Sequence, residues 1–230
     1  MIDFLENPLF LLALTFLIYY GAVLLQKRFN SALLNPVLIT AILLIIYLLC
    51  LGITPAKYEE AGKYIDFWLK PSIVALGVPL YLQLSKIKKQ LVPLLVSQLV
   101  GSVVGIVSVC LLAKAFGLDN ELTRSLVPKS VTTPIALEVS RMVQGAQPLT
   151  VMAVMITGFF GNIFGLMLLR WFQVKSPMGK GIALGTASHA LGIMAAFNLS
   201  EKYAVYASLG MIFNGIFTAI LAPLVVGLLF

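Results

Sequence analysis

The sequence predicts an all-α integral membrane protein with about seven transmembrane helices, one re-entrant or broken segment and a possible inverted repeat. The 230 residues are 60% hydrophobic and only 11% charged, whereas soluble domains carry about 25% charged residues. The apolar residues are gathered in long uncharged runs, as a chain needs in order to cross hydrocarbon. A water-soluble fold could not bury this much apolar surface, so the lipid bilayer is the predicted surrounding of most of the chain.

Uncharged runs give the individual spans, because a helix needs about 20 apolar residues to cross the hydrocarbon core. Five runs are long enough: residues 7–26, 31–56, 90–113, 142–169 and 203–230. Residues 181–200 form a sixth predicted span, although this run contains His189. Residues 71–85 are a shorter candidate, interrupted by Pro79. Residues 1–230 are predicted to form a single transmembrane domain.

The basic residues predict the topology, because cytoplasmic loops are enriched in Lys and Arg. Three basic clusters contain no acid: Lys27 and Arg28; Lys86, Lys88 and Lys89; and Arg170, Lys175 and Lys180. The N-terminus carries Asp3 and Glu6 and is predicted to lie outside. For all three clusters to be cytoplasmic, residues 125–140 must begin and end on the outer side, which predicts a re-entrant segment. The last two runs then both cross, and the C-terminus is predicted in the cytoplasm.

The predicted re-entrant segment contains the string Pro-Lys-Ser-Val-Thr-Thr-Pro at residues 128–134. Pro128 and Pro134 break a helix, and broken backbone at membrane depth is tolerated where it is buried in protein or lines a wet cavity. Lys129 is costly in hydrocarbon, and a helix starting near Pro134 would direct its free N–H groups to the same place. Neighbouring hydroxyls come from Ser130, Thr132 and Thr133. These residues predict a carboxylate pocket; the alternative is a lysine that reaches the membrane surface or pairs with Glu138.

A second polar stretch, residues 179–192, surrounds His189 with Thr186 and Ser188. His189 is the only histidine in the chain, and an ionisable group inside a membrane is a functional hypothesis by default. All three side chains are therefore predicted to contact the substrate, and His189 is a candidate proton carrier. The alternative is a histidine satisfied in the core, with small residues allowing close helix packing. Gly185 and Gly192 are predicted breaks of this stretch.

Interrupted segments in corresponding halves of a chain indicate a transporter's binding site. Residues 71–81, with Pro71 and Pro79, are the predicted counterpart of the second polar stretch. Asn35 precedes Pro36 at the start of a span and is a further predicted substrate-binding residue. Two other amides in apolar runs, Asn162 and Asn214, are predicted first as hydrogen-bonding groups between helices and second as pocket residues.

Enzyme chemistry finds little support, and no catalytic residue, cofactor or metal site is predicted. Cys50 and Cys110 stand alone, without a CxxC motif or a Cys/His cluster. Phosphate-binding and dinucleotide-binding motifs are missing from the sequence, and no acid in these spans could orient His189 as in a catalytic triad. The net charge of +7 is attributed to cytoplasmic loops, so nucleic acid is not a predicted partner.

Four stretches resemble the LrgB/CidB family over nearly the whole chain: LLNPVLI at 33–39, KPSIVALGVPLY at 70–81, LVPKSVTTPIALEVS at 126–140 and GTASHALG at 185–192. The resemblance implies a multi-pass protein of the bacterial inner membrane, working with a smaller LrgA/CidA-type membrane protein. It also implies two functions. One is holin/antiholin-like regulation of murein hydrolases and autolysis, and the other is movement of small monocarboxylates.

Between these functions, the interrupted polar segments favour a carrier with a defined pocket, because a pore works by assembly of copies. The main prediction is an ion-coupled transporter for monocarboxylates of the glycolate, glycerate, pyruvate or lactate type. The alternative is a holin-like regulator of murein hydrolase export and autolysis, and a third option is a scaffold for the small partner. Homo-oligomer formation is left open.

Overall fold

The structure, a computed structural model, describes residues 2–29, 34–68, 71, 74–75, 77–82, 88 and 90–230. Every regular element among these residues is helical, which confirms the all-α prediction. The chain divides into two compact units, residues 1–72 and 73–230. The single-domain organisation stays a prediction.

The first unit contains helices α1 (Ile2–Leu5), α2 (Pro8–Phe29), α3 (Pro36–Leu51) and α4 (Pro55–Asp66). Leu11, Ile53 and Ala61 form its buried core, and Lys57 pairs with Glu6. Apolar side chains cover most of the outside of α2, as expected for a helix that faces lipid.

The second unit contains the remaining helices of the described residues. They are α5 (Gly77–Leu82), α6 (Leu91–Ala115), α7 (Asn120–Leu126), α8 (Thr133–Met142), α9 (Gln147–Trp171), α10 (Pro177–Phe197) and α11 (Glu201–Leu229). α10 is broken internally, since Ser188 and His189 have non-helical backbone angles.

Four helices in the described residues are long and apolar enough to cross a membrane: α2, α6, α9 and α11. α3 is apolar but shorter. These five helices coincide with the five uncharged runs. The predicted total of seven crossings is not confirmed. Residues 71–85, which contain the predicted breaks Pro71 and Pro79, fall partly outside the described residues.

Residues 120–142 fold back so that the end of the segment lies beside its beginning, and we call this segment hairpin A. Thr150 Oγ1 on α9 lies 3.0 Å from the Ser125 carbonyl oxygen and 2.7 Å from Ser140 Oγ. The two ends of the predicted re-entrant segment therefore lie side by side. The turn between α7 and α8 runs through Pro128, and Pro134 lies in the first turn of α8.

α10 also turns back on itself, and we call residues 177–197 hairpin B. Leu184 and Ala196 pack in one buried cluster, although a straight helix would separate them by about 18 Å at 1.5 Å per residue. A Cβ on Gly192 would strike the Leu184 carbonyl. The limbs of the hairpin therefore lie against each other, with Ser188 and His189 at its tip.

The packing of hairpin B on α11 shows its direction. Cβ atoms built on Gly181 and Gly185 would strike Tyr203 and Ala207, respectively, and the Thr186 carbonyl accepts from Asn214. Residues later in hairpin B contact residues later in α11, so the first limb of hairpin B runs parallel to α11. A straight span joined to α11 by a short loop would run antiparallel to it.

The prediction that residues 181–200 form a through-going span is therefore wrong, and the predicted cytoplasmic C-terminus, which depended on that span, loses its basis. Pro36 begins α3, where the sequence predicts the start of a span. Two other predicted breaks need correction. Gly185 and Gly192 do not break the helix but give hairpin B its close backbone contacts. The break is at His189, whose φ of 43° lies in the left-handed region, a strained conformation for a residue with a Cβ.

Hairpins A and B enter from opposite ends of α9 and meet near its middle. Hairpin A ends beside Thr150, near the start of α9, and hairpin B follows directly on the end of α9. Val154 lies at both tips, because its side chain packs in a cluster with Val131 and its carbonyl accepts from His189. The two hairpins are thus oppositely directed, while the predicted counterpart of the second polar stretch, residues 71–81, lies partly outside the described residues.

We predict that residues 175 and 230 lie on opposite sides of the membrane, because α11 crosses between hairpin B and residue 230. With the basic cluster around Lys175 in the cytoplasm, residue 230 is outside. Paired reporters of cytoplasmic and external location, fused after residue 175 and after residue 230, measure this. Signals from the same side at both positions would contradict the hairpin.

Candidate functional site

A cavity of about 220 Å³ lies where the two hairpin tips approach α6 and α11. Its polar lining residues are Ser102, Lys129, Ser130, Thr186, Asn214 and Thr218. Apolar atoms of α6 and of Val127 and Ala187 complete the wall. The volume is below the range of about 300–1,000 Å³ typical of drug-sized ligand sites, so the cavity suits a small solute.

Lys129 is the charged residue among those that line the cavity. Its Nζ donates to Ser130 Oγ at 3.1 Å, and an ammonium group has three N–H donors. The ion pairs among the described residues do not include Lys129. Glu138 instead bonds Arg141 at 3.4 Å on an exposed part of α8. This geometry argues against the alternative in which Lys129 pairs with Glu138.

Asn214 connects the two hairpins to each other and to α6. Its Nδ2 donates to the Ser130 carbonyl of hairpin A and to the Thr186 carbonyl of hairpin B, both at 3.0 Å. Its Oδ1 accepts from Ser102 Oγ at 2.7 Å. The side chain is buried, so these bonds satisfy carbonyls that the broken helices leave without an intrahelical partner. Asn214 thus holds both the predicted roles, as an interhelical link and as a pocket residue.

Gln98 and Thr186 form a second polar contact beside the cavity. Thr186 Oγ1 lies 2.9 Å from Gln98 Oε1 and 2.7 Å from the Ile182 carbonyl oxygen. Gln98 is fully buried, and its Nε2 has no hydrogen-bond partner among the described residues. Unpaired buried polar atoms are uncommon in folded proteins, so this amide N–H is a free donor for a polar group that enters the region.

His189 lies at the tip of hairpin B but is not among the residues lining the cavity. Its Nε2–H donates to the Val154 carbonyl at 3.1 Å, and its side chain is buried. A Cβ on Gly158 would come within 2.6 Å of Nε2, so α9 closes tightly over the ring. The contacts assign His189 to holding the tip of hairpin B against α9; its predicted role toward a substrate stays a prediction.

The other predicted binding residues lie at several separate places in the structure. Ser188 lines a separate, mainly apolar cavity between α9 and hairpin B. Thr132 caps the start of α8 without a side-chain cap bond, and its buried hydroxyl has no partner among the described residues. Thr133 begins α8. Asn35 belongs to the first unit, where Oδ1 caps α3 by accepting from Val37 N at 2.9 Å. The structure thus joins Lys129, Ser130 and Thr186 at one cavity.

Sequence reasoning missed Gln98, Ser102 and Thr218. Each is a single polar residue in a long apolar helix, and a buried amide in such a helix is a signal that could have singled out Gln98. The hydroxyl residues carry a weaker signal, because a threonine or serine in a span can bond its own helix instead.

Metal chemistry finds no cluster in the part of the chain that was described. No group of three or more His, Cys, Asp or Glu side chains is placed to hold a metal ion among those residues.

Comparison with known proteins identifies one family. The LrgB-like family matches residues 15–228. The uncharacterized protein YxaC of Bacillus subtilis is 40% identical over 218 residues, which is 95% of each chain. The holin-like protein CidB of Staphylococcus epidermidis is 36% identical over 97% of each chain, and the holin-like protein CidB of Staphylococcus aureus is 34% identical over 96% of each chain. No solved structure matches the chain.

These relatives and the apolar helices identify a membrane protein. The names of the staphylococcal relatives support the holin-like alternative and do not mention carboxylates. They name no enzyme activity.

We predict that Asn214→Ala destabilises the second unit, because it leaves two carbonyls and one hydroxyl unpaired. Each unsatisfied buried group costs about 1–3 kcal/mol. Thermal unfolding of the detergent-purified protein should show a clear fall in midpoint. Asn198→Ala, at an exposed position, is the control and should change the midpoint little. Equal midpoints for the two variants would show that Asn214 does not hold the tips.

Proposed function

The chain belongs to the LrgB-like family, and within this family we propose a carrier for small monocarboxylates of the glycolate, glycerate, pyruvate or lactate type. The observation that carries the proposal is the meeting of two oppositely directed hairpins at a cavity containing Lys129. Discontinuous helices from inverted halves form the substrate sites of many secondary transporters. We also propose that the protein is not an enzyme and that transport is coupled to the movement of an ion.

A carboxylate bound in the cavity would lie against the Lys129 ammonium group. Charge-assisted hydrogen bonds of this kind are roughly twice as strong as neutral ones, and low dielectric strengthens them further. Ser130 and Thr218 supply hydroxyls that can donate to a second oxygen of the ligand. Thr186 Oγ1 donates its proton to Gln98 or Ile182, so toward a ligand it can accept from a 2-hydroxyl group. One positive charge among neutral polar groups matches a ligand with one negative charge.

The hairpins also supply a route to each side of the membrane. Hairpin A enters from the end of α9 that contains Gln147, and hairpin B from the end that contains Trp171. Withdrawal of one hairpin tip would open the cavity toward its own side while the other tip keeps the opposite side closed. Alternating access in inverted-repeat transporters works by such relative movements around a fixed site.

A holin-like regulator of murein hydrolase export and autolysis is the second candidate, and the names of two relatives favour it. This function would require assembly of several copies into a pore or control of such a pore. It would not depend on the charge of one side chain inside each copy.

The proposal extends to location and partners. We expect the protein in the bacterial cytoplasmic (inner) membrane, together with a smaller LrgA/CidA-type membrane protein. Co-expression with and without that protein, followed by uptake assays in vesicles, separates a carrier that works alone from one that needs the partner. The molecular mass of the purified protein from the same preparations measures whether copies of the chain associate.

We predict that Lys129→Ala abolishes saturable uptake of labelled glycolate and pyruvate into vesicles, while insertion is retained. Removing a buried charge should not impair insertion, because the charge itself is the costly element. Lys129→Arg should also be impaired, since the planar guanidinium places its donors differently. Lys114→Ala, which removes an exposed lysine at the end of α6, is the matched control and should transport normally.

Two outcomes of this assay would overturn the carrier. One is normal uptake by Lys129→Ala. The other is unsaturable flux that also passes uncharged solutes and does not respond to Lys129 substitution, which would favour the holin-like candidate.

We predict that His189→Gln leaves both the apparent carboxylate affinity and the dependence of uptake on pH gradient nearly unchanged. The reason is that the ring is bonded to the Val154 carbonyl and lies off the cavity wall, and a glutamine amide retains a donor. Uptake at a series of imposed pH gradients measures both properties. Loss of gradient dependence with intact affinity would instead identify His189 as the proton carrier.

A further inference from the structure

Gly101 and Gly105 lie one turn apart on α6, and both form part of the wall of the Lys129 cavity. Gly101 faces hairpin B directly, because a Cβ on Gly101 would lie 3.5 Å from Thr186 Cγ2, whereas a Cβ on Gly105 would face open space. The size of the residues at these positions therefore bears directly on the space beside Lys129.

The two glycines differ from those that pack between helices. Gly181, Gly185 and Gly192 have no room for a side chain, because a Cβ on each would strike the backbone of a neighbouring segment. A Cβ on Gly105 would meet no heavy atom within 4 Å. Packing between helices therefore does not require glycine at position 105. The absence of a side chain there instead leaves part of the cavity unfilled.

We propose that Gly105 keeps open the space beside Lys129 and so sets the upper size limit of the anion bound there. This inference rests on the proposed carrier function and adds the residue that determines its specificity. A side chain at position 105 takes up space that the carbon chain of the ligand would occupy. Longer or branched acids need that space most, and acids as small as glycolate need it least.

The test compares Gly105→Ala and Gly105→Val with wild type, using glycolate, lactate, 2-hydroxybutyrate and 2-hydroxyisovalerate as competitors of labelled glycolate uptake. In the alanine variant, the apparent affinity for the longer acids should fall by about 10-fold or more, since one methylene in a pocket changes discrimination by about 10–200-fold. The affinity for glycolate should change little. The valine variant should lose the longer acids entirely and weaken glycolate as well.

Gly21→Ala is the matched control, because a Cβ there also meets no heavy atom within 4 Å but Gly21 lies on α2 in the first unit. It adds the same methyl group and the same gain in helix propensity, and it should leave the ranking of the acids unchanged. If Gly105→Val fails to insert, Gly105→Ala carries the test, since it places one methyl group in open space.

The outcomes separate this inference from the carrier function. A uniform loss for all four acids in Gly105→Ala, or an unchanged ranking, overturns the size limit while wild-type uptake leaves the carrier standing. Wild-type protein that neither takes up any of the acids nor is thermally stabilised by them overturns the carrier, and the size limit with it.

Discussion

Hydrocarbon offers no hydrogen-bonding partner to a peptide group, so a chain that stops being helical inside a membrane must find its partners within the protein. Asn214 provides them here at two breaks at once. Its amide donates to carbonyls at the tips of both hairpins, and its oxygen accepts from Ser102 on α6. One buried side chain of α11 thus ties both tips together, and the shape of the cavity depends on Asn214 as well as on the contacts of the tips with Val154 on α9.

The first hairpin could be predicted from the sequence because its chemistry is local. Two prolines flank Lys129, and the acid-free basic clusters require residues 125–140 to return to their starting side. Hairpin B could not be predicted in this way. Its break at Ser188 and His189 contains neither proline nor glycine, and tertiary contacts hold it, including the bond from His189 to Val154. The absence of Lys, Arg, Asp and Glu from residues 181–200 is compatible with a straight span. The contact between the two limbs and their packing on α11 exclude one.

The site follows the same division. Lys129 and Ser130 stand out from apolar neighbours, so the sequence alone identifies them. Ser102, Thr218 and Gln98 become significant only when the fold brings α6 and α11 beside the tips. The names of the staphylococcal relatives favour the holin-like function, whereas the proposed carrier rests on a charge held between two opposed hairpins.

The parallel packing of hairpin B on α11 has a consequence for biosynthesis. The close backbone contacts of Gly181 and Gly185 are made with residues 203–207, which leave the ribosome later. Until they arrive, the first limb of hairpin B has no surface to complete its packing, and the Thr186 carbonyl lacks its donor. Hairpin B therefore completes its packing only after the residues of α11 have been synthesised.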